Sequence, residues 1–573
     1  MKRCPECRRD YHDDSLSFCL DDGAALVDGP AATVSEVEPA TAILEHTKLF
    51  HEVSTKKQVD TTAATLVLQT DTVQSGKAKW LQSSRKNWSV IVLFAMLIPV
   101  AFFGYRYLAS AGGQQINSIA VLPFVNESGN PEIEYLSDGM TESLISSLSQ
   151  LPNLNVKARS SVFRYKGKEI DAPVVGKELG VQAILNGRVV QKGDGLTLYL
   201  ELVDAQTGNR IWGDQYNRKT SDLISLQSEI ARDVSQKLKT KLSGADEQKL
   251  RKNYTENVEA YQVYLKGRYH VFKLTPPEVQ KSISYFQQAI EIDPSYALAY
   301  AGLSDAYRSL ALAGEMDPNE TLPKSKAAAN KAIELDDDLA EAHTALGVCL
   351  FWYDWNWSAS EDQYKRALEL NPNSSVVHLF YAHLLSNIGR HAEAIAEVTR
   401  ARELDPLSPF VNALEGQFLL HAGRIDEALD RLRQTSELDP NFYFPHHFAA
   451  SAYIEKGMYA EAAAEARRAK ELGPNQTVGT AFGAYALAKL GKRDEALALL
   501  NELLTLSGAR FVPPYHVAFV YNGLGETDKA LGWLEKGYEQ HDPKMAFLKV
   551  EPKWNNLRAN PRFQELMKKM AFP

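Results

Sequence analysis

The 573-residue sequence has few cysteines and no excess of positive charge. It contains four cysteines, and its formal net charge at pH 7 is −9. There is no basic stripe with interleaved aromatic residues, and a negative net charge disfavours bulk association with nucleic acid. We therefore expect no nucleic-acid partner.

Motifs for catalysis and phosphate binding are also missing. The sequence has no glycine-rich phosphate loop followed by a suitable lysine, no HRD or DFG phrase of a kinase, and no basic winged-helix segment. No nucleophile–base pair or carboxylate pair stands at a recognisable spacing. The phrase Gly193-Asp194-Gly195 is better explained as a hairpin turn than as a phosphate loop. We predict that the protein is not an enzyme, with no catalytic residues and no small-molecule substrate.

The sequence has an internal repeat instead. Five glycines recur 34 residues apart, and each opens a similar phrase (GRHAEA, GRIDEA, GMYAEA, GKRDEA and GETDKA); they are Gly389, Gly423, Gly457, Gly491 and Gly525. A fixed period of this length indicates one supersecondary unit that is copied and stacked. Because such arrays offer a long surface for holding other molecules, the repeat favours a binding function.

The phase of the repeat predicts two helices in each unit. In the unit that begins at Ser375, apolar residues recur at helical spacing up to Gly389. A second apolar helix face ends at Asp405-Pro406, since the residue before a proline disfavours helical backbone. The pattern resembles the tetratricopeptide repeat, which implies an α-solenoid of about eight helix pairs over residues 253–543 and a capping helix in residues 544–573.

A long uncharged segment precedes the repeats. Residues 88–105 read WSVIVLFAMLIPVAFFGY, and 18 helical residues extend about 27 Å, close to the hydrocarbon thickness of a bilayer. We predict a transmembrane helix over residues 86–108; the alternative is a buried core helix. Lysine and arginine concentrate before the segment, which predicts a cytoplasmic N-terminus, a flexible cytoplasmic linker over residues 28–85 and periplasmic repeats. The predicted localisation is the bacterial inner membrane, with a single pass.

Residues 1–27 contain a short metal-binding pattern. Its residues are Cys4, Cys7, Cys19 and Asp22. A C-x2-C pair suits tetrahedral zinc, because both thiolates reach one ion from a tight turn. The segment resembles a degenerate zinc ribbon, which implies zinc held by three thiolates and a weaker fourth ligand, which is Asp22, Asp21 or His12. The alternative is a disordered tail whose cysteines stay reduced.

Residues 114–248 alternate between strands and helices in the order β-α-β-α-β-β-β-α. The apolar run SIAVLPFV (118–125) predicts a buried strand, and the amphipathic segment 135–151 predicts a helix. Four phrases, among them ELGVQAILNGRVV and LVDAQTGNRIWGDQYNR, resemble the TolB amino-terminal-like domain. The resemblance implies a mixed α/β domain of the kind that precedes tetratricopeptide arrays in bacterial membrane proteins.

The resemblance to tetratricopeptide arrays also implies a binding groove. In that family the first helix of each unit lines a concave face at fixed positions. Carried onto this sequence, the groove includes His383, Ser386, Asn387, Phe410, Gln417, His421, Phe444, His447, Tyr485, Lys489, Tyr515 and Phe519. Aromatic and histidine side chains dominate, so we expect an extended or helical protein segment as ligand. The alternative is that half of these side chains only pack between helices.

Two functions remain open from the sequence. The first is a non-catalytic, membrane-anchored scaffold or assembly factor whose repeats bind protein partners. The second is a transmembrane signalling receptor that relays partner binding to the zinc-ribbon module. The sequence has no recognisable output domain, which favours the scaffold.

Overall fold

A computed structural model of the chain divides into two compact units, Met1–Leu97 and Ile98–Pro573. The structure describes residues 2–3, 10–11, 27–28, 116–238, 242–312 and 316–573. In the first unit, strand β1 (Lys2–Arg3) pairs antiparallel with β2 (Asp10–Tyr11) and with β3 (Val27–Asp28). The zinc-ligand candidates, the predicted linker and the uncharged segment all lie outside the described residues.

The predicted membrane localisation is corrected. No helix in the described ranges combines the length and the apolar character that a bilayer crossing requires. A membrane span needs about 20 consecutive apolar residues in one helix, and an uncharged run of sequence does not by itself establish such a helix. The prediction of a single-pass inner-membrane protein with periplasmic repeats is therefore wrong. The alternative function, a transmembrane signalling receptor, depended on that prediction and is not supported either.

The second unit begins with an α/β region built on one mixed sheet. Its strands are β4 (Ser118–Val121), β5 (Val125–Asn126), β6 (Asn155–Val156), β7 (Ala183–Lys192), β8 (Gly195–Asp204) and β9 (Arg210–Lys219). The strand order is β6-β4-β7-β8-β9, and β5 also pairs with β7. The first strands run parallel, whereas β7, β8 and β9 form an antiparallel meander. The sheet confirms the predicted mixed α/β region.

Five helices accompany this sheet, and the first three lie between its parallel strands along the chain. They are α1 (Glu134–Ser149), α2 (Arg159–Val162), α3 (Ala172–Leu179), α4 (Leu223–Lys237) and α5 (Gly244–Arg251). The run 118–125 forms two short strands rather than one, and Pro123, which has no backbone N–H to donate to a ladder, lies in the break. The Asp171 side chain accepts a hydrogen bond from the Val174 N–H and so caps the start of α3.

Eight helix pairs follow within the described part of the chain. They are α6 (Val258–Val271) with α7 (Pro276–Ile292), α8 (Ala297–Leu312) with α9 (Pro318–Leu335), α10 (Ala340–Trp352) with α11 (Trp357–Leu370), α12 (Ser375–Asn387) with α13 (His391–Leu404), α14 (Pro409–His421) with α15 (Ile425–Leu438), α16 (Phe444–Glu455) with α17 (Tyr459–Leu472), α18 (Val478–Lys489) with α19 (Arg493–Ser507), and α20 (Pro514–Gly523) with α21 (Thr527–Glu539). This array confirms the predicted tetratricopeptide-like helical repeat.

Small residues allow the helices of a pair to approach closely. Ala382, Ala394 and Ala401 are fully buried where α12 meets α13 and the next pair. Each of the five repeated glycines lies in the turn between two helices with a positive φ, from 72° at Gly457 to 89° at Gly389. Glycine adopts this backbone without a Cβ penalty, which explains why glycine recurs at this position in each of these five turns.

The α/β region and the first repeats share one hydrophobic core. Buried apolar residues form a single cluster from Leu185 in the sheet through Leu226 in α4 to Leu265 in α6 and Phe286 in α7. Helices α1 and α6 approach so closely that a Cβ at Gly139 would lie 2.8 Å from Leu265. Residues 116–238 are therefore packed on the array and are not merely linked to it.

Candidate functional site: the concave face of the array

The first helices of five successive pairs present one residue each at the same register position. These residues are His383, Gln417, Ser451, Tyr485 and Phe519, each 34 residues after the last. Their relative exposures lie between 2% and 7%. The repeat thus builds a continuous row of polar and aromatic side chains, and this row is covered in the structure.

The cover is the chain's own C-terminal segment, residues 543–573. It contains two 3-10 turns, Pro543–Phe547 and Pro552–Trp554, and one short helix, α22 (Pro561–Lys569). The segment was expected to cap the end of the array. In the structure its first half contacts the first helices of several repeats, so the predicted groove holds a polypeptide segment.

The first contact along this segment is an aromatic one. The Phe547 ring lies 5.5 Å from Trp352, 5.7 Å from His383 and 6.0 Å from His421, measured between ring centroids. These three residues come from α10, α12 and α14. Aromatic rings at these separations add favourable contacts to simple area burial. We call this set the aromatic subsite.

The second contact is a buried lysine. Lys553 Nζ lies 2.7 Å from Ser451 Oγ and 3.0 Å from Glu455 Oε1, both on α16. It also pairs at 2.7 Å with Glu551 of its own segment. Its side chain is 1% exposed. Burial opposes the ammonium charge, but the two carboxylates outweigh it and raise the pKa of Lys553.

Aromatic faces and a backbone contact complete the surroundings of Lys553. We call the residues around its ammonium group the cation subsite. Lys553 Nζ lies 5.6 Å from the Phe482 ring centroid and 5.8 Å from that of Phe519, within cation–π range. The Asn522 side-chain amide donates a 2.7 Å hydrogen bond to the Lys553 carbonyl oxygen. The array therefore holds both the charge and the backbone of this residue.

The third contact is an indole. Trp554 is fully buried, and its Nε1–H donates a 2.9 Å hydrogen bond to the Tyr515 hydroxyl. Its ring meets Tyr515 and Phe519 edge-on, with centroids 5.3 and 5.7 Å apart. The indole N–H rarely stays unpaired when it is buried, so Tyr515 defines an indole subsite on α20.

Part of the predicted groove set lies outside these subsites, at an exposed edge. Phe410 is 36% exposed and meets Phe444 edge-on at 5.3 Å. Val376, one repeat before Phe410, is 53% exposed. These three residues form an apolar edge on α12, α14 and α16. Lys489 is also exposed, whereas Ser386 and Tyr515 are buried.

Several polar atoms of the groove are buried without a protein partner. Within the described ranges, no hydrogen bond reaches His383 Nε2, either side-chain atom of Asn387, Gln417 Oε1 or His447 Nδ1. Burial lowers the pKa of both histidines well below the usual value, so these rings are neutral at pH 7. These groups of the groove are thus buried but unpaired among the described residues, and His383 lies against Phe547 of the C-terminal segment.

The contacts with Ser451, Glu455, Lys553 and Trp554 were not predicted from the sequence. Ser451 and Glu455 stand at the same register positions as His383 and Asn387, two repeats later, so the 34-residue period could have identified them. No such signal marked Lys553 and Trp554, because their role depends on a segment that folds back onto the array. Cys4, Cys7, Cys19 and Asp22 lie outside the described residues, and zinc binding there stays a prediction.

Comparison with known families and proteins adds three findings. Residues 114–233 match the HilA/YgeH-like transcriptional regulator, second domain. The chain is 32% identical over 240 residues to "Putative adenylate cyclase 3" of Rhizobium meliloti (strain 1021), over 41% of this chain and 40% of that protein. It is 26% identical over 142 residues to the transcriptional regulator HilA of Salmonella typhimurium, over 25% of this chain and 26% of that protein. The resemblance to the TolB amino-terminal-like domain stays a prediction.

Among solved structures, the chain is similar to that of YrrB, a TPR protein with an unusual peptide-binding site. The likeness has a TM-score of 0.25 and 23% sequence identity, and it covers 34% of this chain and 95% of that one. The similarity to each of the two named relatives, by contrast, covers less than half of that relative's length.

Proposed function

We propose that this protein is a non-catalytic scaffold whose helical array binds protein or peptide segments. The observation that supports this most directly is the concave face, which holds a stretch of polypeptide made of short 3-10 turns through aromatic contacts, an ion pair and a hydrogen bond to backbone. A surface with this chemistry selects a polypeptide by its side chains, as peptide-binding grooves do.

The named relatives favour a binding role for the part they share with this chain. One is named as an adenylate cyclase and the other as a transcriptional regulator, and the chain is similar to 40% and 26% of their lengths. Two proteins of different named activity both resemble this chain. We infer that the similar parts are binding modules and are not the source of either activity.

The apolar edge is the surface at which we expect a partner to make contact. Val376, Phe410 and Phe444 come from successive repeats, and the first two are exposed. Exposed apolar residues in a row are more typical of an interaction surface than scattered single ones. A helical or extended segment with regularly spaced apolar residues fits such an edge.

In-cell crosslinking with mass spectrometry on the tagged full-length chain tests the proposal. We expect crosslinks from a protein partner to α12–α16, and we expect Phe410→Ala to reduce their yield at least several-fold. Val174→Ala is the matched control, because Val174 is 51% exposed but belongs to the α/β region. Equal partner yields for the two variants would contradict the assignment of the edge.

A cyclase assay on the full-length chain tests the non-catalytic part of the proposal. The chain is incubated with ATP and a divalent cation, and the products are separated by chromatography. We expect no cyclic nucleotide above the level of a heat-denatured sample. Production of cyclic AMP that scales with protein concentration would contradict the proposal.

A further inference from the structure

The three subsites of the groove are occupied in sequence by one stretch of chain. Phe547 lies in the aromatic subsite of α10, α12 and α14, and Lys553 and Trp554 lie in the cation and indole subsites of α16, α18 and α20. The occupant therefore runs along the array, from earlier repeats to later ones. Backbone hydrogen bonds within the occupant, from the Val550 and Glu551 N–H groups to the Phe547 carbonyl oxygen, help to fix the spacing between its anchors.

We propose that this groove recognises a protein segment with an aromatic residue followed, six residues later, by a basic–aromatic pair, and that the chain's own C-terminal segment occupies the groove until such a partner replaces it. This inference rests on the proposed binding function and names the chemistry of the partner. The C-terminal segment would then be an internal competitor for the groove.

The chemistry of the array defines what the partner must carry. Glu455 and Ser451 come from the array, and together with the Phe482 and Phe519 rings they form a pocket for one cation. The Tyr515 hydroxyl accepts a hydrogen bond from an indole N–H. A partner lacking the basic residue would leave the partly buried Glu455 carboxylate without a counter-charge, which disfavours its binding.

Two features indicate that the internal segment is replaceable. Its elements are short: two 3-10 turns of five and three residues and a nine-residue helix. It also leaves His383 Nε2, the Asn387 amide and Gln417 Oε1 without partners among the described residues. Buried polar atoms are normally paired, so a segment that donates to or accepts from these groups would gain over the internal one.

A labelled peptide with the sequence of residues 543–560 tests this inference by fluorescence anisotropy. With the wild-type full-length chain we expect weak binding, because the internal segment competes. A chain with Lys553→Glu and Trp554→Ala should release its own segment and bind the wild-type peptide at least about 10-fold more tightly; a groove occupied about 99% of the time would give about 100-fold.

Charge reversal on the array provides the specificity control. Adding Glu455→Lys to the released chain should weaken peptide binding at least about 10-fold, and a peptide with Lys553→Glu should recover part of that loss. Glu495→Lys is the matched control, since Glu495 is an exposed glutamate on α19 outside the groove, and it should leave affinity unchanged. A folded released chain that binds no peptide would overturn the inference.

Hydrogen exchange on the unmodified chain keeps the test decisive if the released variant does not fold. At the highest soluble peptide concentration, amides of residues 543–573 should exchange faster, because the peptide displaces them. Unchanged exchange would overturn the inference, and so would a dimer held together by exchanged C-terminal segments, since the occupant would then be a second copy. Peptide displacement without partner crosslinks in cells would instead contradict the proposed scaffold function.

Discussion

At the residue scale, the turn inside each repeat depends on a backbone that only glycine adopts freely. Gly423 has φ +75°, and a Cβ added there would meet no atom within 4 Å. The cost of replacing it is therefore confined to the backbone. Gly244, at the start of α5, is also in open space, but its φ is not in the left-handed region.

We expect Gly423→Ala to lower the free energy of unfolding by about 1–2 kcal/mol, because an L-residue in left-handed backbone brings its Cβ close to the following carbonyl oxygen. Gly423→Asn should cost about half as much, since asparagine tolerates this conformation. Urea denaturation of the full-length chain measures both. Gly244→Ala is the control, and a cost as large as that of Gly423→Ala would contradict the backbone explanation.

Four histidines on the inner face of the array make stability depend on pH. Burial lowers the pKa of His421 and of His516 to about 3, and the pKa values of His383 and His447 are also lowered. Below about pH 6.5 these histidines bind protons more readily in the unfolded chain than in the folded chain. The stability that they contribute is therefore complete above about pH 6.5 and is lost as pH falls. Asp542 acts in the opposite sense, because burial raises its pKa to about 6 and its contribution is lost as pH rises through that value.

The histidines outnumber Asp542, so we expect net destabilisation by acid. Each strongly shifted histidine approaches a loss of about 1.4 kcal/mol per pH unit below 6.5. Urea midpoints at pH 7, 6 and 5 measure the effect. His516→Gln should make this dependence shallower, and a dependence that is equally steep in the variant would contradict the assignment.

At the element scale, helix α2 and the strand before it dock on the turn that follows α13. The Ala158 N–H donates a 2.9 Å hydrogen bond to the Leu404 carbonyl oxygen. Asp405 is buried and accepts a hydrogen bond from Ser161 Oγ at 2.6 Å and another from Ser160 Oγ. Burial raises the pKa of this carboxyl, although the serine hydroxyls act against that shift. The turn that follows the fourth helix pair is thus a docking point for the α/β region.

We expect Asp405→Ala to destabilise this contact by about 1–3 kcal/mol, because the buried Ser161 hydroxyl and the more exposed Ser160 hydroxyl both lose their acceptor. Hydrogen exchange in residues 157–165 should become faster. Asp439→Ala is the matched control, since Asp439 holds the same repeat position 34 residues later and its side chain accepts a hydrogen bond from the Asn441 N–H of its own turn. Equal effects of the two variants on α2 would contradict the docking role.

At the scale of the second unit, the end of the array packs back on its middle. Trp357 Nε1–H donates to the Met570 carbonyl oxygen at 2.9 Å, and its ring stacks on Phe572 at 4.7 Å. Trp355 stacks on His541 with centroids 5.2 Å apart. Repeats in an open array contact only their neighbours, whereas these contacts join residues about 190 to 210 positions apart along the chain.

We expect Trp357→Ala to loosen two distant segments together. A buried tryptophan replaced by alanine costs about 3–5 kcal/mol, and the loss should appear as faster hydrogen exchange in both residues 357–370 and residues 561–573. Trp533→Ala is the control, because Trp533 is partly buried on α21 and lies outside this contact. Faster exchange confined to residues 357–370 would contradict the coupling of the two segments.

Much of the fold could be predicted because its signals are local. Glycine turns and apolar helix faces mark the repeat, and alternating runs mark the sheet of the α/β region. The groove positions followed from the period, but their burial did not, because it comes from contacts over long sequence distances. Phe410 and Tyr485 illustrate the difference, since the same register reasoning predicted both, yet one is 36% exposed and the other 7%.

The sequence by itself determined the helix pairs, their period and the succession of strands, because these depend on spacing and backbone preference over a few tens of residues. Only the tertiary structure decided that the C-terminal segment lies in the groove, that Lys553 finds Glu455, and that the α/β region is seated on Asp405. Those contacts join residues about 100 to 250 positions apart. Such pairings depend on how the whole chain closes, and no local pattern records them.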